Sequence, residues 1–401
     1  MAADSNDGAL DGIRVLDLTR ILAGPLCTMM LGDMGADVIK VEPVGTGDDT
    51  RTWGPPFANG ESAYYLGVNR NKRSITLNMA VKPGQEILAQ LISKSDVVVE
   101  NFKVGTLEKW GFGNHWLEAN APSVIRCSIT GYGSTGPKAK LPGYDFILQA
   151  ESGLMSICGE ADGTPMKYGV AIVDICTGML ACNSILAALN ARHRTGRGQQ
   201  VEVSLFDSSL AMLANVASNY LVSGKDARRF GNGHPNIVPY TAYPTRDDMI
   251  AVSVGNDAQF GKFAQALDRP EWATDPRYVK NSSRIANREA LDELIAGVLK
   301  EQGAEAWLTK LGAAGIPCGR INSVAQALNA EHTAAREMVR TVKHPTAGEL
   351  KMLGIPFRFS ATPAAVRRAP PTLGQHTEQV LREELGLSDG RIAELRAQKI
   401  V

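Results

Sequence analysis

Short apolar runs alternate with helical patterns through the first half of the chain. The runs "IRVLDL" (13–18), "DVIKVE" (37–42), "DVVVEN" (96–101) and "VIRCSIT" (124–130) have the length and β-branched content of buried strands. Apolar residues at helical spacing begin at about Gly24 and again after Pro83. This alternation predicts parallel strands joined by crossover helices, a doubly wound α/β sheet whose ligands gather at the carboxyl ends of the strands. From about Gly224 the pattern changes: "GNGHPNIVPY" reads as a loop, "MIAVSV" (249–254) as a strand, and 257–268, 285–301 and 303–313 as helices. After about 330 come proline-rich strand and loop text, "GIPFRFSATPAAVRRAPPTLG", and a last amphipathic helix from about Thr377. The predicted organisation is a Rossmann-like large domain over 1–224, a smaller α+β domain over 225–330, and a return to the large domain over 331–401.

Composition narrows the classes. At 401 residues the chain exceeds the usual size of one core. Lysine plus arginine and aspartate plus glutamate both number 42, so no net field points to nucleic acid or an anionic membrane as partner. Any anionic ligand must be met by local charge. A hydrophobic fraction of 44% and 40 glycines suit a loop-rich enzyme. Six cysteines without a C-x-x-C pair suit a reducing compartment. The opening "MAADSNDGALDG" lacks the basic and apolar regions of a signal peptide, and no uninterrupted apolar run reaches the length of a membrane span. A cytoplasmic protein is expected.

Several motifs invite chemistry. "GYGSTG" (131–136) fits G-x-G-x-x-G after a strand, yet "PKAKLPGYD" does not open the helix that a dinucleotide needs, so neither nicotinamide nor flavin is expected. "NRNKRSITL" (69–77) places Arg70, Lys72 and Arg73 before a short strand, where they suit either phosphates or a solvated basic face. The six histidines form no H-x-x-x-H pair and no metal is expected; His234, in a glycine-rich loop, is the one nearest a ligand. In "GVAIVDICTG" (169–178) a single carboxylate, Asp174, precedes an apolar helical run. Two roles fit it there: an N-cap, or a nucleophile.

Taken in order, "LDGIRVLDLTRILAGPLCTMMLGDMGADVIKVEP", "GDDTRTWGPP", "NRNKRSITLNM", "VENFKVGTLEKWG", "SITGYGSTGP", "PGYDF", "TGRGQQVEVSLFD" and "APPTLGQHT" resemble the class III CoA-transferase family, the group around formyl-CoA transferase and carnitine CoA-transferase. The resemblance covers almost the whole chain, and "GDDTRTWGPPF", "YYLGVNRNKRS" and "GNGHPNIVPY" are most similar to the succinate–hydroxymethylglutarate type. It implies an interlocked, ring-like homodimer and a reaction that moves CoA from an acyl-CoA such as succinyl-CoA to a carboxylic, here dicarboxylic, acid. The family's nucleophilic aspartate falls on Asp174, which would carry an acyl anhydride and then a CoA thioester.

CoA contacts carry over onto Leu22, Ala23, Leu77, Asn78, Met79, Asn101, Lys103 and Lys109, and onto Tyr144 and Asp145 of "PGYDF". Pro142 stands where formyl-CoA transferase has lysine, so that contact does not carry over. Gly255 in "VGND" is expected to offer an oxyanion donor, and Arg228 or Arg229 beside His234 to meet a distal carboxylate. The same fold also hosts α-methylacyl-CoA racemases, whose "GHD" histidine is replaced here by Tyr144. A tyrosine, with an ordinary pKa of ~10, is a poor base at neutral pH. Transfer is therefore the expected reaction, with Asp257 the residue that keeps racemisation in view.

Overall fold

The computed structural model describes residues 8–401; of the acidic opening stretch, 1–7 lie outside those described. Six strands form one parallel sheet: β1 (Arg14–Asp17), β2 (Asp37–Glu42), β3 (Lys72–Thr76), β4 (Val97–Glu100), β5 (Ile125–Thr130) and β6 (Gln200–Ser204). Their order is β3-β2-β1-β4-β5-β6, every neighbouring pair parallel. This is the strand order of a doubly wound fold, and its direction of travel reverses between β1 and β4. Loops leaving those two strands diverge, so a crevice opens at their carboxyl ends. Valines 97–99 are buried on both sheet faces, which is why the strands appear as unbroken apolar runs.

Helix α1 (Ala23–Asp33) follows β1 and is buried along most of its length. α2 (Lys82–Ser93) starts with Pro83 in its first turn, where a missing N–H is harmless. α3 (Asp145–Glu151) is short, and α4 (Ile172–Thr195) runs 24 residues to a left-handed cap at Gly196. α1 and α4 pack closely: a Cβ on Gly178 would lie 2.5 Å from the Ala23 carbonyl oxygen. α4 holds no uninterrupted apolar run of span length, being broken by Asp174 and Asn183, though by length and mean hydropathy the helix as a whole could cross a membrane. Its apolarity is used instead for packing, since Val173, Thr177, Ala181, Ile185 and Leu189 are all buried.

The chain divides into two units: the described residues through Ser152 with Gly169–Met212 and Glu331–Val401, and Gly153–Tyr168 with Leu213–Ala330. This differs from the expected division in two places. The second unit begins at 213 rather than 225, and it includes 153–168. It holds an antiparallel sheet of β7 (Tyr240–Pro244), β8 (Met249–Ser253) and β9 (Cys318–Arg320). Around it stand α5 (Asp257–Ala266), α6 (Arg288–Leu299) and α7 (Ala304–Ala313), over a core that includes Phe260, Phe263, Ile295 and Trp307. The carboxyl-terminal part of the first unit adds a hairpin, β10 (Val339–His344) and β11 (Gly348–Leu353), then α8 (Thr377–Leu385) and α9 (Asp389–Ala397).

The basic run at 70–73 is neither a phosphate site nor a solvated face. Arg70 grips Asp33 through two bonds of 2.8 and 2.6 Å, Arg73 pairs with Asp37 and Glu384, and Lys72 donates to Asp17 at 3.0 Å. Lys72 and Asp17 are both fully buried. Removing one partner leaves the other charge unsolvated, a loss of roughly 3–5 kcal/mol for buried pairs. Lys72→Met should therefore lower stability by about 3 kcal/mol or more, read as a fall in the urea midpoint with an unchanged slope.

Candidate active site

A cavity of about 390 Å³ lies at the carboxyl ends of β1, β4 and β5, entirely within the first unit. Three loops wall it: Arg20–Ala23 after β1, Asn101–Val104 after β4, and Thr130–Gly131 with Ala139–Tyr144 after β5. The β5 loop can fold back because two glycines meet; a Cβ on Gly131 would sit 2.6 Å from the Gly143 Cα. Asn101 pins the β1 loop by accepting from the Arg20 N–H at 3.0 Å and donating to its carbonyl at 2.8 Å. Lys103 and Lys140 point no ion pair at any carboxylate among the described residues, so both charges are available to an anion.

Asp174 also lines this cavity. It sits in the first turn of α4, but it is not the cap. The N-cap position is Ala171, whose side chain can accept nothing. The free N–H groups of Val173 and Asp174 are taken by the Asp145 carboxylate at 2.8 and 3.3 Å, and Gln149 donates to its other oxygen at 2.5 Å. Asp145 is thus a buried helix cap supplied from α3. The capping role expected of Asp174 belongs to Asp145, whose carboxylate, expected to meet CoA, is taken up by three donors within the protein.

That exchange leaves the Asp174 carboxylate without a hydrogen bond among the described residues. Burial, and then the Asp145 charge, push its pKa from 3.8 up to about 7. It is therefore only partly ionised at neutral pH, not fully as its ordinary value would have it. One carboxylate is consumed by structure, and the other is poised as a base or nucleophile.

The structure sorts the remaining expected residues. Leu22, Ala23, Asn101, Lys103 and Tyr144 share the cavity with Asp174. Leu77 and Met79 instead belong to the hydrophobic core, the Asn78 N–H is bound to the Ile400 carbonyl, and exposed Lys109 lies outside the wall. Residue-by-residue matching missed Lys140. Pro142 does line the wall, and Lys140, two positions earlier, supplies the cation that Pro142 does not. The signal was present in "GPKAKLPGYD".

In the second unit, Arg229 is committed to three carbonyls, those of Ser156, Glu160 and Gly163, at 3.3, 3.1 and 2.7 Å. It holds the 153–168 segment in place. The Gly255 N–H donates to the Gln259 side chain at 2.8 Å, so it is not an open oxyanion donor. His234 organises its own turn, its Nδ1 accepting from the Asn236 N–H at 3.0 Å. Burial raises the Asp257 pKa, but bonds from Arg284 and the Asn281 N–H outweigh it and hold the carboxyl low, unsuited to removing an α-proton.

A family model for CoA-transferase family III matches residues 10–377. The chain belongs to CoA-transferase family III. This CoA-transferase is 43% identical to the succinyl-CoA:glutarate CoA-transferase of Mus musculus over 98% of its own length and 90% of the relative's. It is also 43% identical to the succinate–glutarate CoA-transferase of Agrobacterium fabrum, covering 93% and 95% of the two chains. A CAIB/BAIF family protein from Brucella suis superposes with a TM-score of 0.82 at 43% identity, over 94% of this chain and 99% of that one.

The raised pKa of Asp174 has a thermodynamic consequence. Ionised Asp174 destabilises the folded chain; the penalty is absent below a carboxyl's ordinary pKa, grows through the interval, and is complete above about 7. Asp174→Asn should therefore stabilise the CoA-transferase by on the order of 1–4 kcal/mol above neutrality and leave it unchanged at acid pH. Melting curves at alkaline and acid pH test the difference.

Proposed function

We propose that this CoA-transferase moves CoA from succinyl-CoA to a dicarboxylic acid through covalent intermediates on Asp174, acting as a cytoplasmic homodimer. The observation that carries the reading is an unpartnered, half-buried carboxylate in a cavity whose wall holds two uncommitted lysines. Lys103 and Lys140 suit the phosphates of CoA as point charges, and Asn101 and Tyr144 offer polar edges. The relatives named for succinyl-CoA and glutarate support the choice of substrates.

The chemistry follows from a carboxylate meeting a thioester. Asp174 in its ionised form attacks the acyl carbonyl, the C–S bond breaks, and CoA leaves as the thiolate. The result is a mixed anhydride. The thiolate then attacks the Asp174 carbonyl and expels succinate, leaving CoA joined to Asp174 as a thioester. The acceptor carboxylate attacks that thioester, regenerating thiolate and a second anhydride. Attack of the thiolate on the acceptor's acyl carbon releases the new acyl-CoA and restores the Asp174 carboxylate. No external base is needed, because every nucleophile in the sequence is an anion.

Of the two arginines expected to meet a distal carboxylate, Arg229 is occupied and Arg228 is left. Arg228 is exposed, stacks 4.7 Å from the Phe230 ring centroid, and helps line a cavity of about 700 Å³ in the second unit. Homodimer formation is supported by apolar side chains left exposed on neighbouring helices: Phe146 and Ile147 on α3, Met179 and Leu180 on α4. The interlocked ring is the form the family resemblance implies. Six free cysteines suit the cytoplasm.

Incubation with succinyl-CoA should leave a mass adduct on a peptide containing Asp174, and Asp174→Ala should abolish both adduct and transfer; normal transfer by that variant would refute the mechanism. Since the attacking species is the anion, kcat/KM should fall about tenfold per pH unit below a limb near pH 7.

A further inference from the structure

Beside β3, an outermost strand of the sheet, the first unit holds a second cavity of about 370 Å³. Its wall comes from the end of the β10–β11 hairpin and from the "APPTLGQHT" stretch that leads into α8: Lys343, Pro345, Arg368, Pro370, Gln375 and His376. Three of these are basic and none is acidic. Among the described residues, no carboxylate forms an ion pair with Lys343 or Arg368, and neither side chain donates to a carbonyl. Lys343 and Arg368 are exposed and His376 is half-buried, so the three basic groups stand around a cavity whose wall holds no carboxylate.

The seat is also built rigidly. The His376 backbone N–H donates to the Ser74 carbonyl at 2.9 Å, and the Ser74 N–H donates to His376 Nδ1 at 3.2 Å, so strand β3 holds this residue by its backbone and by one ring nitrogen. With Nδ1 accepting, the neutral ring carries its proton on Nε2, the donor left for a ligand. The Gly374 N–H donates to the Ser74 hydroxyl at 3.0 Å, fixing the turn before the ring. Arg368 is fixed at its backbone, its N–H held by the Asn71 side chain at 2.9 Å and its carbonyl by the Asn71 N–H at 3.0 Å. Two prolines stiffen the remaining wall.

We infer that this cavity is a second anion site, taking a phosphate-type dianion on Arg368, Lys343 and His376, separate from the cavity that holds Asp174. The guanidinium offers a fork for two oxygens, the ammonium a point charge, and the imidazole a single directed N–H. Burial of the His376 ring is the first cause of its lowered pKa, followed by the Arg368 and Arg73 charges, with Asp37 opposing them. An ion bound there would tie the hairpin, the strand edge and α8 together, so its effect would appear first as stability.

The test is a titration of the full-length protein with inorganic phosphate at ionic strength held constant with chloride, followed by calorimetry and thermal melting. The expected result is saturable single-site binding with a rise in melting temperature. Arg368→Ala and Lys343→Ala should each weaken it about tenfold or more, while Lys103→Ala and Lys140→Ala leave it in place. Exposed Lys343 provides an independent reading if Arg368→Ala itself lowers the melting temperature. Phosphate binding that survives both Arg368→Ala and Lys343→Ala, or disappears with Lys103→Ala, would overturn the inference and return the ion to the first cavity. Saturable succinate binding without phosphate binding would overturn it in favour of a dicarboxylate.

Discussion

The fully buried Asp17 carboxylate, at the carboxyl end of β1, is the point from which the cavity wall hangs. It receives Lys72 at 3.0 Å, the Thr28 hydroxyl at 2.7 Å, and both the N–H and hydroxyl of Thr19. Burial alone would drive Asp17 to its neutral form, but Lys72, Lys40 and the two hydroxyls outweigh it and keep the carboxyl well below its usual range. Lys72, taken out of water, is pulled down to about 8. Lys40 carries the network onward, donating to the Thr19 carbonyl at 2.9 Å and to Asp48 at 3.0 Å, and Asp48 accepts from the Ile21 N–H at 3.3 Å. Ile21 has φ of 72°, a left-handed backbone that disfavours a β-branched residue by roughly 1–2 kcal/mol. That turn persists because Asp48 and Asn101 over-determine it from either side, and its consequence is a fixed lip on the cavity.

On that rigid frame the two acids of the site are driven apart. Asp145 takes three donors and becomes part of the helix; Asp174 takes none. The positive end of α4 favours an anion at Asp174, yet burial and the neighbouring charge win, and the pKa rises to about 7. A carboxylate that is harder to ionise is also more basic once ionised, and so a better attacking group on a thioester. Asp145 is in this sense a positioning residue: it fixes the Asp174 backbone through its N–H and supplies the charge that tunes it.

How much of this could be seen in the sequence depends on how far apart the partners lie. Strands buried on both faces declare themselves as apolar runs, so β1, β2, β4 and β5 were legible to within a residue or two. The nucleophile candidate was legible by resemblance. Lys72 was not, because its partner is 55 positions away and a charge run beside a strand looks solvated. The cap was missed for the same reason: Asp145 reaches α4 across 28 positions, while Asp174 lies adjacent to the helix start and fits the local rule. Arg229 resembled a ligand-reading cation until the carbonyls of the 153–168 segment were found around it. Local pattern reports what a residue can do, and only the fold reports what has already claimed it.

The proposed intermediates add one requirement. Anhydrides and thioesters hydrolyse, so the reaction needs water kept from Asp174. Tyr144, on the cavity wall, is 65% exposed, and the next residues on α3, Phe146 and Ile147, face solvent together with Met179 and Leu180 on α4. Exposed apolar side chains clustered on two neighbouring helices are the mark of a surface that another chain covers. In the proposed homodimer these side chains would be covered, and the same contact would dry the approach to Asp174. Association would then be a condition of the chemistry, because the covalent intermediates live only as long as water is excluded.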